Sequence, residues 1–432
     1  MKLKIKKWGI NGEGIGYKDG KPVFVKGALP GEVADVKIEK RGDHYSIAHL
    51  INVIEPNSHR RFPPCSQTEC DGCALMHVNY KGQCQMKTAI LKQALAKYAD
   101  YHGKIEPLVK NDSVFAYRNS CKLPVKKILG QLQTGMFKTG SQQFYPIERC
   151  LVHEKELERV RTELLFCLRK HNIPCLEGDG YGLRHIVIKE FEKQIQIILV
   201  TTSMTIEDSA VRDILNLENV CSLWQSIKDH DAVDIFGPEM HFLGGQRNMI
   251  LHIENLQLEL LPRSFFQLNT LQAKKLYLTI KDWLEPCDSL VEAYSGIGAM
   301  SLLCASKAKQ VYGIEWIDDA VSNANANAKA NGLDHVHFKQ GDAAKLFSKI
   351  KKVDALIVDP PRSGLDRPMK QAILEKKPHQ ILYVSCNPST LAKDLADLRT
   401  DYKVDKIQPF DMFSQTQHVE TVVSLRKIAS KK

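Results

Sequence analysis

The sequence predicts a three-part chain that is α/β overall and ends in a doubly wound parallel sheet. Three observations predict it. From residue 261, apolar strands alternate with helical runs, as in LQAKKLYLTIKDWL, SLVEAYSG, QVYGIEW, DAVSNANANAKANG, DALIVDPP and ILYVSCN. That order is the pattern of a parallel sheet with crossover helices. Residues 1–57 instead repeat short strands and glycine turns roughly every ten residues, as a small antiparallel barrel does. Between them, residues 58–260 mix strand patterns (HIVIKEF, QIQIILVTT, MHFLGG) with helical runs and open on a cysteine-rich loop, which predicts an α+β central domain. The expected division is therefore 1–57, 58–260 and 261–432.

The bulk properties narrow the class. The chain has 432 residues, enough for two or three domains, and its 25% of charged residues suits a globular protein. No run approaches the roughly 18 apolar residues of a membrane span. The N-terminal stretch MKLKIKKWGINGEG is basic but lacks the apolar centre of a signal peptide. A cytoplasmic protein is expected, whose 12 cysteines serve as thiols, metal ligands or catalytic groups rather than disulfides. The net charge of +10 favours a polyanionic partner such as RNA. In the barrel segment, Trp8, Tyr17, Phe24 and Tyr45 lie among lysines, as on a nucleic-acid-binding barrel.

The elements follow in order. After the loop NSHRRFPPCSQTECDGC, the spacing of YKGQCQMKTAILKQALAKYA predicts a helix over 80–99, and EKELERVRTELLFCLRK predicts another. The strand in SLVEAYSGIGAMSLL ends in Gly296-Ile-Gly298 and enters a helix. The next strand, QVYGIEW, ends in Glu315, whose carboxylate can accept ribose hydroxyls. The short glycine turn, with Met300 and Ser301 where a third small residue would stand, suits S-adenosylmethionine, which has no pyrophosphate to cradle. Asp342, in FKQGDAAKL, stands where an adenine amino group could be met, and equally suits a helix N-cap.

Two further strand ends carry the chemistry. Asp359-Pro360-Pro361-Arg362 follows VDALIVD as a rigid turn bearing one carboxylate. Cys386 follows ILYVS, at a sheet lip where ligands bind, although a free cysteine is more often a small buried hydrophobe. A thiolate adding to carbon 6 of uracil makes carbon 5 nucleophilic. Removal of the carbon-5 proton then needs a base. Near the C-terminus, FDMFSQTQHVETVVSL offers Glu420, with His418 as its competitor.

Together these motifs resemble the RNA uracil-5-methyltransferases, specifically the iron–sulfur branch acting on 23S rRNA. The resemblance spans essentially the whole chain. It rests on GEGIGYKDGKPVFVKGALPGE, which looks like a TRAM domain, the cysteine loop, SFFQLN, SGIG, DPPRSGLD, VSCNPSTLAKD and HVETVVSL. It implies an OB-like barrel and a class I, Rossmann-like methyltransferase domain. It implies Cys386 as nucleophile and Glu420 as base. It places Gln267, Tyr294, Gly296, Gly298, Glu315, Asp342 and Asp359 around S-adenosyl-L-methionine and the target base, with Phe265 packed near that base. Glu292 and Ser295 depart mildly from the family's Asp and Cys, and Ala299 replaces a residue that is polar in some members. RNA is the implied partner, 23S rRNA before tRNA, with no membrane or DNA and no required oligomerisation. A non-catalytic RNA-binding factor is the rival from outside the enzymes.

Cys65-x4-Cys70-x2-Cys73 supplies three thiols in one short loop, suited to one metal centre. Cys84, Cys121 and Cys150 could each be the fourth ligand, and both zinc and iron–sulfur accept four cysteines. The resemblance implies a [4Fe-4S] cluster and, through FYPIERCLV, Cys150. Cys167, Cys175, Cys221, Cys287 and Cys304 are expected to be structural.

Overall fold

The computed structural model describes residues 1–67, 70–177, 180–231 and 234–429. Strands β1 (Lys2–Trp8), β2 (Gly14–Lys18), β3 (Lys21–Val25), β4 (Val33–Arg41) and β5 (Ser46–Glu55) close into a barrel in the order β1-β2-β3-β5-β4. β1 shows why. Its lysines face out while Leu3 and Ile5 alternate inward to meet Val23, Val25, Ala34 and Val36. Closure leaves no unpaired edge.

Helix α1 (Tyr80–Ala99) comes next, as its spacing predicted. The central sheet follows, from β6 (Ser120–Ile128), β7 (Gln131–Phe137), β8 (Phe144–Pro146), β9 (Leu183–Phe191), β10 (Gln194–Thr201), β11 (Val220–Ile227) and β12 (Glu239–Gly245). Helices α2 (Lys155–Lys170) and α3 (Asp208–Leu215) pack on it. In α2 the stripe Leu157, Val160, Leu164 and Leu168 meets Ile186, Ile188, Ile197 and Leu199.

A hairpin, β13 (Met249–Ile253) and β14 (Leu256–Leu260), leads into the C-terminal sheet. Its strands are β15 (Cys287–Ala293), β16 (Ala308–Glu315), β17 (Val336–Gln340), β18 (Ala355–Val358), β19 (Gln380–Ser385), β20 (Tyr402–Phe410) and β21 (Glu420–Lys427). They stand in the order β17-β16-β15-β18-β19-β21-β20. The first five are mutually parallel, and β21 runs antiparallel to both its neighbours. Helices α4 (Thr270–Trp283), α5 (Ala299–Cys304), α6 (Asp318–Ala330), α7 (Ala343–Lys349), α8 (Arg367–Lys376) and α9 (Pro388–Leu398) complete the doubly wound α/β fold. The strand order turns back between β15 and β18, where such sheets open a crevice.

Two segments pack outside their sequence neighbourhood. The hairpin joins the core under the C-terminal sheet. Helix α1 lies against α9, and its Leu91, Ala94 and Leu95 enter the sheet's other core. The buried stripe of α1 also contains two polar residues, Gln83 and Lys87. Lys87 is fully buried and ion-paired with buried Asp411 at the end of β20. Its Nζ also donates to Phe413 O (2.9 Å). Gln415 N donates to Gln83 Oε1 (2.8 Å), and Gln83 Nε2 returns a bond to Gln415 Oε1 (2.9 Å). Tyr117 OH donates to Ser414 O (2.8 Å) and Asn269 Nδ2 to Met412 O (3.0 Å). The loop between β20 and β21 is thus held from three directions. No helix among the described residues is long and apolar enough to cross a membrane.

Removing one partner of a buried pair leaves an uncompensated charge. Lys87→Met is therefore expected to cost about 3–5 kcal/mol, whereas Lys87→Met with Asp411→Leu recovers most of it. Urea unfolding of both variants checks this; equal losses would show that the pair is not what holds the loop.

Candidate active site

Three adjoining strand ends build the site. β18 and β19 are buried throughout, β18 wholly apolar and β19 largely so between Gln380 and Ser385, so both run straight through the sheet and stop at polar turns. Val358 pairs with Tyr383, and Ser385 pairs with Thr421 of β21. One step further, Cys386 lies opposite Glu420, while Asp359 stands level with Val384, two residues before Cys386 on the adjoining strand. Pro360 and Pro361 cannot extend the β18 ladder, which fixes Asp359 at its lip. All three residues line one cleft of about 620 Å³, together with Phe265, Gln267, Arg118, Arg362 and His418. The Phe265 ring is 68% exposed, available to a ligand. Asn119 Nδ2 donates to Gln267 O (2.9 Å) and Thr270 Oγ1 (2.8 Å), anchoring the loop that carries Phe265 and Gln267.

Burial governs the electrostatics. It pushes the Asp359 carboxyl up to about 7. Burial and then the Asp359 charge push Glu420 up to about 8, against Arg362 and Lys87. Burial, Glu420 and Asp359 together push the Cys386 thiol up to about 11, with Arg362 opposing. The site therefore holds a neutral thiol beside two acids that exchange protons near neutrality, which suits general acid–base work. Burial, Arg362 and Lys87 push His418 down to about 4. Arg362 Nη2 lies 3.1 Å from His418 Nδ1; since a guanidinium only donates, the ring is neutral with its proton on Nε2.

The residues expected around the cofactor lie on adjoining strand ends rather than in the cleft lining, apart from Gln267 and Asp359. Tyr294, Gly296 and Gly298 follow β15 at φ +66°, +52° and +81°. A Cβ at Gly298 would come 2.3 Å from the Phe338 ring, so no side chain fits there. A Cβ at Gly296 would meet nothing within 4 Å, so its backbone is open to a ligand. Glu315, ending β16, accepts from Gly296 N (2.9 Å), Trp316 N (2.7 Å) and Ile317 N (3.0 Å). Asp342 after β17 caps α7, accepting from Lys345 N (2.8 Å). The Ser295 hydroxyl beside this turn is buried with no partner among the described residues. An open backbone, an orphaned hydroxyl and a carboxylate at the next strand fit S-adenosylmethionine.

Cys65, Cys70, Cys73 and Cys150 line one cavity of about 340 Å³. Burial, then the three other thiols, push Cys73 up to about 12. Among the described residues, however, no three His, Cys, Asp or Glu side chains are arranged to hold a metal ion. Cys121, weighed as a fourth ligand, lies instead in the core of the central sheet. Cys84 is in α1, near Tyr80 and Asp411. Sequence reasoning missed Arg362, although it completes the quoted Asp-Pro-Pro-Arg turn. It also missed Lys87, whose signal was a lysine at an apolar-stripe position.

Comparison with known proteins bears on this geometry. A family model described as tRNA (Uracil-5-)-methyltransferase matches residues 79–428, and a TRAM domain model matches residues 1–51. The chain belongs to this methyltransferase family. A Clostridium tetani relative, named an uncharacterized RNA methyltransferase, is 33% identical over 100% of this chain and 97% of its own length. A Listeria innocua relative with a similar name is 36% identical over 98% and 97%. The crystal structure of a Pyrococcus abyssi tRNA (uracil-54, C5)-methyltransferase with S-adenosyl-L-homocysteine superposes with a TM-score of 0.79 at 25% identity, covering 98% of this chain and 100% of that one. The methyltransferase is thus an S-adenosylmethionine-dependent uracil-5 RNA-modifying enzyme with a TRAM barrel.

Folding raises the Glu420 pKa, so its contribution to stability is complete below about pH 4 and is lost as pH rises through about 8. Glu420→Gln is therefore expected to raise the melting temperature at pH 8.5 by about 2 °C or more, and to change it little at pH 4. Thermal melts across pH check this; an equal shift at both ends would remove the buried charge as the cause.

Proposed function

We propose that the enzyme makes 5-methyluridine in 23S rRNA, in the cytoplasm, with Cys386 as nucleophile and Glu420 as base. The register that sets Cys386 opposite Glu420, in one cleft with Asp359, carries this reading. The Cys386 thiol gives its proton to the Asp359 carboxylate as its sulfur bonds to carbon 6 of the uracil, and the ring's electrons move toward carbon 5 and the carbonyl oxygen. Tyr294, Gly296, Gly298, Glu315, Asp342 and Gln267 would hold S-adenosylmethionine, which would supply the methyl group to carbon 5 and leave as S-adenosylhomocysteine. Glu420 then removes the carbon-5 proton, and the sulfur–carbon-6 bond breaks to restore the double bond and free the thiolate. Asp359 hydrogen-bonds the base and borders the cofactor. Phe265 packs on the flipped ring. The barrel and central domain bind RNA, mostly through phosphates.

We assign Cys65, Cys70, Cys73 and Cys150 to a [4Fe-4S] cluster. The four thiols border one cavity, and four cysteine thiolates are the ligand set such a cluster takes. Its part is structural: Cys65, Cys73 and Cys150 pack with Met76, Tyr117 and Val152 against Phe413, in the loop before Glu420.

A second reading keeps the chemistry and changes the substrate to tRNA. It is favoured by the superposition on an enzyme whose name specifies tRNA uracil-54.

Trapping separates these readings. Glu420→Gln cannot accept the proton, yet addition and methyl transfer precede its step. It is expected to accumulate a denaturation-resistant covalent adduct with 23S rRNA, whereas Cys386→Ala with Glu420→Gln forms none. An adduct on tRNA instead would select the second reading. Normal turnover by Glu420→Gln, with the adduct trapped by His418→Ala, would move the base to His418. Protein purified without oxygen is expected to be brown and to contain iron and sulfide, lost on replacing Cys65, Cys70, Cys73 or Cys150. Stoichiometric zinc without iron would overturn the cluster.

A further inference from the structure

A second cavity of about 450 Å³ adjoins the catalytic cleft. Arg118, Phe265, Val152 and Leu268 line both spaces, so the cavities are neighbours separated by these side chains. Three cations, Arg118, Lys122 and Arg263, border the second cavity; a fourth basic side chain there, Lys189, is buried, which pushes its ammonium down to about 7. No carboxylate does among the described residues. The rest of the wall is largely apolar and aromatic, including Phe236 and Phe266. Cys70, Cys73 and Cys150 form one wall of it, but none of its basic or aromatic side chains lines the cavity that all four cluster thiols share.

The surroundings are built rather than loose. Buried Lys189 donates to Pro262 O (2.6 Å) and Ser264 O (2.8 Å), pinning the turn before Phe265. Arg263 Nη2 bonds Pro238 O (3.0 Å), and its guanidinium lies 5.9 Å from the centre of the Phe236 ring. Lys122 lies over the same ring at 5.2 Å. Arg118 donates Nε to Ser120 O (3.1 Å), and its two terminal nitrogens have no hydrogen-bond acceptor among the described residues. A flat apolar space ringed by cations, without acids, is complementary to a nucleobase and its phosphate.

We propose that this cavity is a second nucleotide subsite, which holds the base of a nucleotide adjoining the target uridine. Arg118, bordering both spaces, takes the phosphodiester that links the two nucleotides. Phe265 stands between the two bases and keeps them unstacked from each other. The inference rests on the uridine occupying the cleft that holds Cys386. It adds that recognition reads two splayed nucleotides, so sequence preference extends to one neighbour of the modified uridine.

The test uses short RNA substrates with 5-fluorouridine at the target position, and others with uridine there. In each, one nucleotide within two positions of the target is made abasic. One such position is expected to raise KM about tenfold with kcat unchanged, the size of a lost base–aromatic stack. Met136→Trp, which fills the cavity from β7, is expected to raise KM on intact RNA and to abolish the difference between intact and abasic RNA. Lys122→Glu, on an exposed side chain, is expected to do the same more weakly, and serves if the tryptophan variant misfolds. Abasic substitutions without effect, or an effect unchanged in both variants, overturn the subsite while leaving the uridine reading intact, provided the fluorouridine adduct still forms. Failure of every RNA to form that adduct, the intact one included, removes the uridine reading and the subsite with it.

Discussion

The site depends on one buried ion pair, Lys87 with Asp411. β21 is placed by its ladders to β19 and β20, but the loop before it is fixed from outside the sheet. β21 enters antiparallel between β19 and β20, so the loop feeding it must turn sharply at the lip of the crevice. That loop has a non-glycine residue, Gln415, at φ +69°. A left-handed residue persists where its surroundings over-determine it. Here Lys87 and Gln83 from α1, Tyr117, and Asn269 before α4 do so. A lysine suits the position because its ammonium can bind a carboxylate and a carbonyl together.

Around this anchor, the chemistry is set by desolvation. Burial raises the proton affinity of two acids and a thiol at the same sheet lip; Asp359 adds to the rise at Glu420, and both acids add to it at Cys386. Arg362 is the counterweight. It borders the cleft, lowers the burden on Glu420 and Cys386, and holds His418 neutral. The histidine is thereby suited to donating a hydrogen bond, and the proton-accepting capacity near neutral pH falls to the carboxylates. The cofactor side of the crevice contrasts with this. It is made of backbone, with Gly296 open and Glu315 bound to three amides.

Much of this was legible in the sequence. The C-terminal sheet was readable because apolar strand cores alternate with helical runs, and because β15, β18 and β19 run into glycine, proline or asparagine turns. Asp359 and Cys386 were readable for the same reason, since each stands where an apolar run breaks. Helix α1 was readable as a helix but not as a cover for the C-terminal sheet, because periodicity reports a buried face without naming what buries it. Lys87 was hidden for a related reason. Its partner lies 324 residues away, and a lysine within a helix is ordinarily a solvated one. The adjacency of Glu420 to Cys386 is a matter of register between β19 and β21, which neither strand's composition encodes. The second cavity was equally invisible, since its basic side chains come from β6, β9 and the loops beside them and meet only in the folded chain.

The grip of α1 on the loop before β21 limits how this architecture can be rearranged. The segments that touch there are distant in the chain, and they exchange an ion pair and reciprocal amide bonds rather than apolar contact. Apolar surfaces tolerate substitution, but a lock of paired polar groups does not. The N-terminal portion therefore cannot be treated as a detachable RNA-binding module. A chimaera joining this C-terminal sheet to the front half of a relative would need matching partners for Asp411 and Gln415 already present in its first helix.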